Sequence, residues 1–197
     1  MNYLDKLEKL IKKQHGTILS LDLDKYEIPR TYLSMMVSEG KLERVERGIY
    51  VSSDSTHDEM FSMQKKYSKL IFSHETALYL HELSDRTPSE YSATVPSGYK
   101  VVENICEKFK VYYIKKSLHG LGVVTKETSF GNLIKVYEIE RTICDIIRSR
   151  NRVDIQIIND ALKRFVQLKS IDYSLLMDYA REFKIEALLI NYLEVLL

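Results

Sequence analysis

Three stretches of the chain hold residues whose types could do chemistry. Leu21-Asp22-Leu23-Asp24 sets two carboxylates two residues apart. A nucleotidyltransferase or other two-metal enzyme uses such a pair to hold Mg²⁺. Here no glycine- and serine-rich phosphate loop precedes it, and the pair opens what reads as a short helix and not a strand. Glu39-Gly40-Lys41 mimics the Glu-x-Lys of a nuclease, but it lies at a helix stop without a further acid in place. His74 and His81 stand seven apart on one expected helix and read as a surface pair, lacking the third ligand of a zinc site. His15, His57 and His119 are isolated. No serine stands in a nucleophile elbow and no glycine-rich phosphate cradle exists. These patterns predict no enzyme, no metal and no cofactor.

The basic residues say more. Arg30 precedes a short helix, where free backbone N–H groups also favour phosphate. Lys41, Arg44 and Arg47 follow it, with Arg47 at a turn. Such residues bind phosphate and position a protein on DNA. Thr31, Ser34, Met35 and Ser38 lie between them, on the side of the helix opposite Leu33, Met36 and Val37, with Tyr32 at the edge. Those small polar side chains suit the reading of base edges.

The elements that must hold this set lie within residues 28–51. Pro29 suits a first helical turn, and Gly40 suits a left-handed C-cap. Leu42, Val45, Ile49 and Tyr50 flank Glu46-Arg47-Gly48, which predicts a tight hairpin closed by Gly48. Upstream, Leu4, Leu7, Leu10 and Ile11 form one stripe of a helix over residues 3–15. Thr17-Ile18-Leu19 predicts a short strand pairing with the hairpin. Ser20 is placed to cap a helix over residues 21–26. The order helix, strand, helix, helix, hairpin is the plan of a winged helix-turn-helix. It fills residues 1–52, and the polar run Ser52–Asp58 reads as the linker to a second domain, 53–197.

That second domain is expected to be α+β. A helix over residues 60–70 and another over 74–83, capped by Ser73, lead into strands near 91–95, 108–116, 121–130 and 133–137. These predict a small mixed sheet of three or four strands. From Glu138 the period turns helical, and four apolar stripes predict a closing helical bundle. Residues 1–197 are 45% hydrophobic, enough for a real core, and no apolar run approaches a membrane span. The amino terminus has lysines but no apolar stretch, so no signal peptide is expected. Cys106 and Cys144 are too far apart for a metal or redox spacing and read as reduced core thiols of a cytoplasmic protein. Lys+Arg is 29 against Asp+Glu 28, a net charge of +1. Residues 1–52 hold nine basic against eight acidic side chains. Any nucleic-acid surface must therefore come from charge segregation. In the second domain, Arg141, Arg148, Arg150 and Arg152 gather around one helix and its end, and Lys115, Lys116 and His119 mark a basic strand end. They are a contact surface or a solvated face.

Four segments in order carry a family likeness: Leu42–Val51 (LERVERGIYV), Ile71–Leu83 (IFSHETALYLHEL), Thr94–Tyr99 (TVPSGY) and Glu138–Arg148 (EIERTICDIIR). Together they resemble the AbiEi-type antitoxins of bacterial type IV toxin–antitoxin systems. Where that family often has Pro before Glu-Arg-Thr, this chain has Ile139. The resemblance implies an amino-terminal domain that binds inverted repeats of double-stranded operator DNA in its own promoter and represses it; the balanced charge of one such domain points separately to protomers cooperating on paired half-sites. The resemblance also implies a carboxy-terminal domain with the antitoxin activity, in phage defence by abortive infection or in plasmid maintenance. The partner would be a nucleotidyltransferase-like toxin, countered without a stable complex, although some relatives bind theirs. Two other readings stand beside this one: a plain winged-helix regulator whose second domain senses a ligand or dimerises, and an enzyme with a cryptic site in the second domain.

Overall fold

The structure is a computed structural model that describes residues 2–101 and 109–194. Cys106 and the first residue of the strand expected from 108 lie outside the described residues. The chain forms two compact units. The first comprises Met1–Ser68 with Thr125–Ile134, and the second Lys69–Val124 with Lys135–Leu197.

The first unit begins with α1 (Tyr3–Lys13), whose Leu7, Leu10 and Ile11 are buried. Gly16, at φ +88°, turns the chain into β1 (Thr17–Leu19). Helices α2 (Ser20–Lys25) and α3 (Thr31–Ser38) follow, then β2 (Leu42–Glu46) and β3 (Ile49–Ser52). The three strands form one sheet in the order β1-β3-β2, antiparallel throughout. Strand β1 thus pairs with the wing as its sequence predicts, Ile18 opposite Tyr50. Two starts differ from expectation. Ser20 is the first residue of α2 and not its cap: its N–H donates to the Gly48 carbonyl of the wing turn at 2.9 Å, and α2 has no side-chain cap. Helix α3 starts at Thr31, two residues after Pro29. The core is one cluster in which Leu7, Leu10, Ile18, Leu23, Ile28, Leu33, Met36 and Leu42 meet.

The first unit also includes α4 (Glu59–Lys66), shorter than the helix expected over 60–70. Its N-cap is Asp58, 1% exposed. Asp58 Oδ1 accepts the Phe61 N–H at 3.0 Å, and Oδ2 accepts the Thr128 hydroxyl at 2.6 Å and Asn132 Nδ2 at 2.9 Å. A carboxylate carrying three hydrogen bonds is what allows a charge to sit in a dry interior.

A five-stranded mixed sheet, most of it in the second unit, has the order β6-β5-β4-β8-β7, one strand wider than the widest expectation. The strands are β4 (Ile71–Phe72), β5 (Tyr91–Pro96), β6 (Phe109–Ile114), β7 (Val123–Glu127) and β8 (Leu133–Tyr137). The extra strand is β4, antiparallel to β5 and parallel to β8. Two buried residues in the middle of a sheet show no alternation, so nothing in their pattern marks a strand. Helix α5 (His74–Leu80) and the short α6 (Lys116–His119) join the strands. Helices α7 (Ile139–Arg148), α8 (Ile155–Phe165), α9 (Tyr173–Glu182) and α10 (Glu186–Glu194) close the unit. Asp154 and Asp172 cap α8 and α9 through their side chains. Their apolar stripes form one core with Leu78, Ile143, Ile146, Leu162, Phe165 and Leu189. The architecture is α+β: an amino-terminal winged helix, then a mixed unit with a small sheet and a helical end.

Candidate nucleic-acid interface

Helix α3 owes its placement to its apolar side. Leu33 and Met36 are 1% and 4% exposed and belong to the first core. With that side fixed inward, Thr31, Ser34 and Ser38 must face out, and all three are exposed. Met35 and Tyr32 are half-buried. Tyr32 leans on Tyr3 of α1, ring centroids 5.5 Å apart. The Ser38 hydroxyl donates to the Met35 carbonyl at 2.7 Å, which leaves its lone pairs free.

The helix stops as its glycine predicts. Gly40 takes φ +70°. The Lys41 N–H reaches the Met36 carbonyl at 2.9 Å, and the Gly40 N–H reaches that of Val37 at 3.1 Å. These two bonds are a Schellman motif. They turn the chain directly into β2. The register of β2 against β3 then slips by one residue between Arg44 and Glu46, a bulge that twists the hairpin toward its tip. Gly48, at φ +81°, closes the turn and leaves Arg47 exposed.

The four cations of this surface fall into two pairs. Arg44 and Arg47 on the wing are exposed and make no hydrogen bond or ion pair within the described residues. The wing acid beside them, Glu46, is held by Lys66 Nζ of α4 at 3.4 Å. Arg30 and Lys41, at the two ends of α3, are engaged instead. Arg30 Nη2 donates to Asp24 Oδ2 at 2.7 Å, and Lys41 Nζ meets Glu39 Oε2 at 2.8 Å. Donating to the Asp24 carboxylate raises the pKa of Arg30, and donating to that of Glu39 raises the pKa of Lys41. The acids Asp24 and Glu39 were not among the residues expected to matter for this surface. Glu39-Gly40-Lys41 is an ion pair across a helix stop, and Asp24 is brought to Arg30 by the turn between α2 and α3, which no spacing in the sequence announces.

The other chemistry-bearing patterns are taken apart by the fold. Asp22 is buried and meets Lys65 Nζ at 3.3 Å, while Asp24 is exposed on Arg30, so the two carboxylates do not converge. Among the described residues no group of three or more His, Cys, Asp or Glu could hold a metal.

Two expectations for the second unit are overturned. Arg141 was expected on a contact surface or a solvated face, but it is fully buried. Its Nε donates to Asp145 at 2.9 Å, and Nη1 donates to the carbonyls of Leu118 and Leu121 at 3.0 and 2.9 Å. Its guanidinium lies between the rings of Tyr137 and Phe183, 4.1 and 4.3 Å from their centroids. It faces inward because α7 buries every side chain from Arg141 to Ile147. Arg148 is mostly covered as well and shares Asp145, at 3.1 Å. Lys115, Lys116, Arg150 and Arg152 are exposed. Arg152 is nevertheless anchored, donating to the Val111 carbonyl at 3.1 Å and lying 4.3 Å from the Tyr112 centroid.

The expected surface pair of histidines is the second correction. His74 is fully buried, stacked on Tyr112 at 3.4 Å, with Nδ1 on the Ser73 hydroxyl and Nε2 on the Ser149 hydroxyl. Burial, then the nearby Arg148 and Arg152, push its pKa well below the usual range. Ser73 is therefore committed to His74 and to the Thr94 hydroxyl, and its side chain caps nothing. His81 Nε2 instead bonds the Tyr137 carbonyl at 2.7 Å. Cys144 is buried and forms no disulfide among the described residues, its pKa pushed up to about 12 by burial.

A helix with a polar outer face set between a bundle and a two-stranded wing defines the winged-helix class of transcriptional regulators. Residues 5–53 match the family model described as transcriptional regulator, AbiEi antitoxin. Over those residues the chain is similar to the AbiEi-type antitoxin regulators. No curated protein matches the chain. Among solved structures, the crystal structure of the RV2827C protein from Mycobacterium tuberculosis is similar, with a TM-score of 0.52 at 10% identity, covering 96% of this chain and 81% of that one. At such identity the likeness is one of fold. No helix among the described residues is long and apolar enough to cross a membrane.

Proposed function

We propose that the chain is the antitoxin and autorepressor of a type IV toxin–antitoxin operon, acting in the cytoplasm. The observation that carries the proposal is the pairing, within the matched region, of an exposed polar helix face with two wing arginines that have no partner among the described residues. Helix α3 enters the major groove, where Thr31, Ser34, Met35 and Ser38 face base edges with Tyr32 at the rim. Arg30, Lys41, Arg44 and Arg47 take phosphates. Residues 1–52 supply this address. Residues 53–197 counter a nucleotidyltransferase-like toxin, with Lys115, Lys116, Arg150 and Arg152 as the exposed contacts. Two protomers on inverted repeats offset the modest charge of one.

A mobility-shift titration on the promoter fragment of its own operon tests the DNA half. Thr31→Ala and Ser34→Ala should change which sequence is preferred, and no shift with the unmodified chain would end this reading. Co-expression with the neighbouring reading frame tests the antitoxin half. The full chain should relieve growth arrest, and reversing Lys115, Lys116, Arg150 and Arg152 to Glu should abolish the relief. A second reading, a regulator whose second unit senses a small polar ligand, is favoured by a cavity of about 270 Å³ among Glu75, Arg86, Ser92 and Lys110. Growth arrest left unrelieved by the full chain would favour it.

A further inference from the structure

The two cation pairs of the first unit differ in a way that the DNA-binding reading does not require. The wing frees its arginines by holding Glu46 on Lys66, whereas the ends of α3 hold Arg30 and Lys41 on Asp24 and Glu39. We propose that Asp24 and Glu39 are specificity determinants: they withhold Arg30 and Lys41 from indiscriminate phosphate binding, so that sequence-independent affinity rests on Arg44 and Arg47 alone. The inference rests on the DNA-binding reading of this surface.

The chemistry is that of exchange between two anions. Sequence-independent binding to DNA comes from cations that replace condensed counterions on phosphates, one per contact. A guanidinium that already holds a carboxylate at 2.7 Å brings no net charge to the duplex. It also brings the carboxylate, which the backbone repels. Both pairs are half exposed, with side-chain exposures of 58% for Arg30 and Asp24 and 52% and 42% for Lys41 and Glu39. Water screens such pairs, so they hold weakly and can be broken. A duplex must do more than present phosphate to break both at once. It must seat α3 deeply enough that Arg30 and Lys41 gain a better partner than the one they have. The acids therefore discriminate against every register in which the helix is not docked. They also supply two of the eight acids that nearly balance the nine basic side chains of residues 1–52.

Asp24→Asn and Glu39→Gln keep size and hydrogen-bonding capacity while removing the charge, so the test uses the full chain carrying both. The probe is an unrelated 30-base-pair duplex, titrated by fluorescence anisotropy at several salt concentrations. The double variant should bind it roughly tenfold tighter, and its log K against log salt should steepen by about one to two, because up to two further phosphates are engaged. In an Arg30→Gln background, Asp24→Asn should lose its effect, which separates release of Arg30 from a general gain of positive charge. Unchanged or weaker binding, or a gain that survives Arg30→Gln, overturns the proposal. Arg44→Ala with Arg47→Ala, measured beside them, reports on the interface itself. If that pair lowers affinity while the acid variants change nothing, only the withholding is wrong. If it leaves affinity unchanged, the interface reading is wrong and this inference falls with it.

Discussion

The dipeptide Glu-Arg at the wing tip, Glu46-Arg47, recurs at the start of a helix in the second unit as Glu140-Arg141. The two arginines end in opposite environments. Arg47 is exposed beside a glycine turn and has no partner among the described residues. Arg141 is fully buried and makes hydrogen bonds to a carboxylate and two carbonyls, between two aromatic rings. The backbone decides the difference. A two-residue turn with Gly48 in the left-handed region can only project its arginine outward. Helix α7 is enclosed along most of its length, so any cation on it needs an internal counter-charge, and Asp145 one turn later supplies it. Charge type alone therefore does not mark a contact surface. It marks one only where the backbone leaves the cation nothing else to bind.

The sharpest way to break that contrast is to remove Arg141. Arg141→Ala strips Asp145 of its nearer partner in a dry site and takes a donor from the Leu118 and Leu121 carbonyls. The expected loss is about 4 kcal/mol of unfolding free energy, typical of a broken buried ion pair. Urea denaturation measures it. Arg141→Ala with Asp145→Ala should lose less than the two single losses together, because the uncompensated charge is gone. A loss under about 1 kcal/mol would mean that Arg141 is not structural. Asp58 gives the next effect, this time in the first unit. Asp58→Ala leaves the Thr128 hydroxyl, the Asn132 amide and the Phe61 N–H without their acceptor. About 3 kcal/mol should be lost, since each buried orphan costs about 1–3 kcal/mol before relaxation. Asp58→Asn, which keeps one acceptor oxygen, should lose less.

The same contrast explains what could be read from the sequence. The winged helix was legible because its punctuation is local: Gly40 and Gly48 are needed where the backbone takes positive φ, and Leu33 and Met36 fix the helix phase. The exposure of Thr31, Ser34, Ser38, Arg44 and Arg47 followed from those same residues. The pairings of Arg30 and Lys41 were not legible, because exposed ion pairs form between neighbours that a turn brings together. In the second unit the strands flanked by charge were legible and β4 was not, because two buried residues carry no period. The fates of Arg141 and His74 depended on contacts made far along the chain, at Leu118, Leu121 and Ser149. Long-range closure of that kind leaves no mark on composition or spacing.

His74 sharpens the comparison through pH. Its folded pKa lies below its usual 6.5, chiefly through burial, so the unfolded chain binds a proton that the folded chain refuses. The stability it contributes is complete above about pH 6.5 and is lost as pH falls from there toward the folded value. One proton of difference costs about 1.4 kcal/mol per pH unit. His74→Gln should therefore be less stable than the parent at pH 7.5, and the gap should narrow by about that amount per unit below pH 6.5. Thermal melts at half-unit steps from pH 7.5 to 5 check it. A gap independent of pH would place a protonated His74 in the folded state and contradict its burial.

The smallest stability effect belongs to the wing, and there binding must move instead. Arg44→Ala with Arg47→Ala removes two exposed side chains that make no hydrogen bond or ion pair among the described residues, so the unfolding free energy should shift by no more than about 0.5 kcal/mol. The same double change should weaken binding to any duplex about equally and lower the salt slope by about one per arginine. Stability held and affinity lost is the signature of a contact surface; Arg141→Ala should give the reverse, with stability lost and the affinity of the molecules that remain folded retained. If the wing double variant instead melted early, its arginines would be structural after all, and the rule that unpartnered cations on a turn mark the interface would fail in this protein.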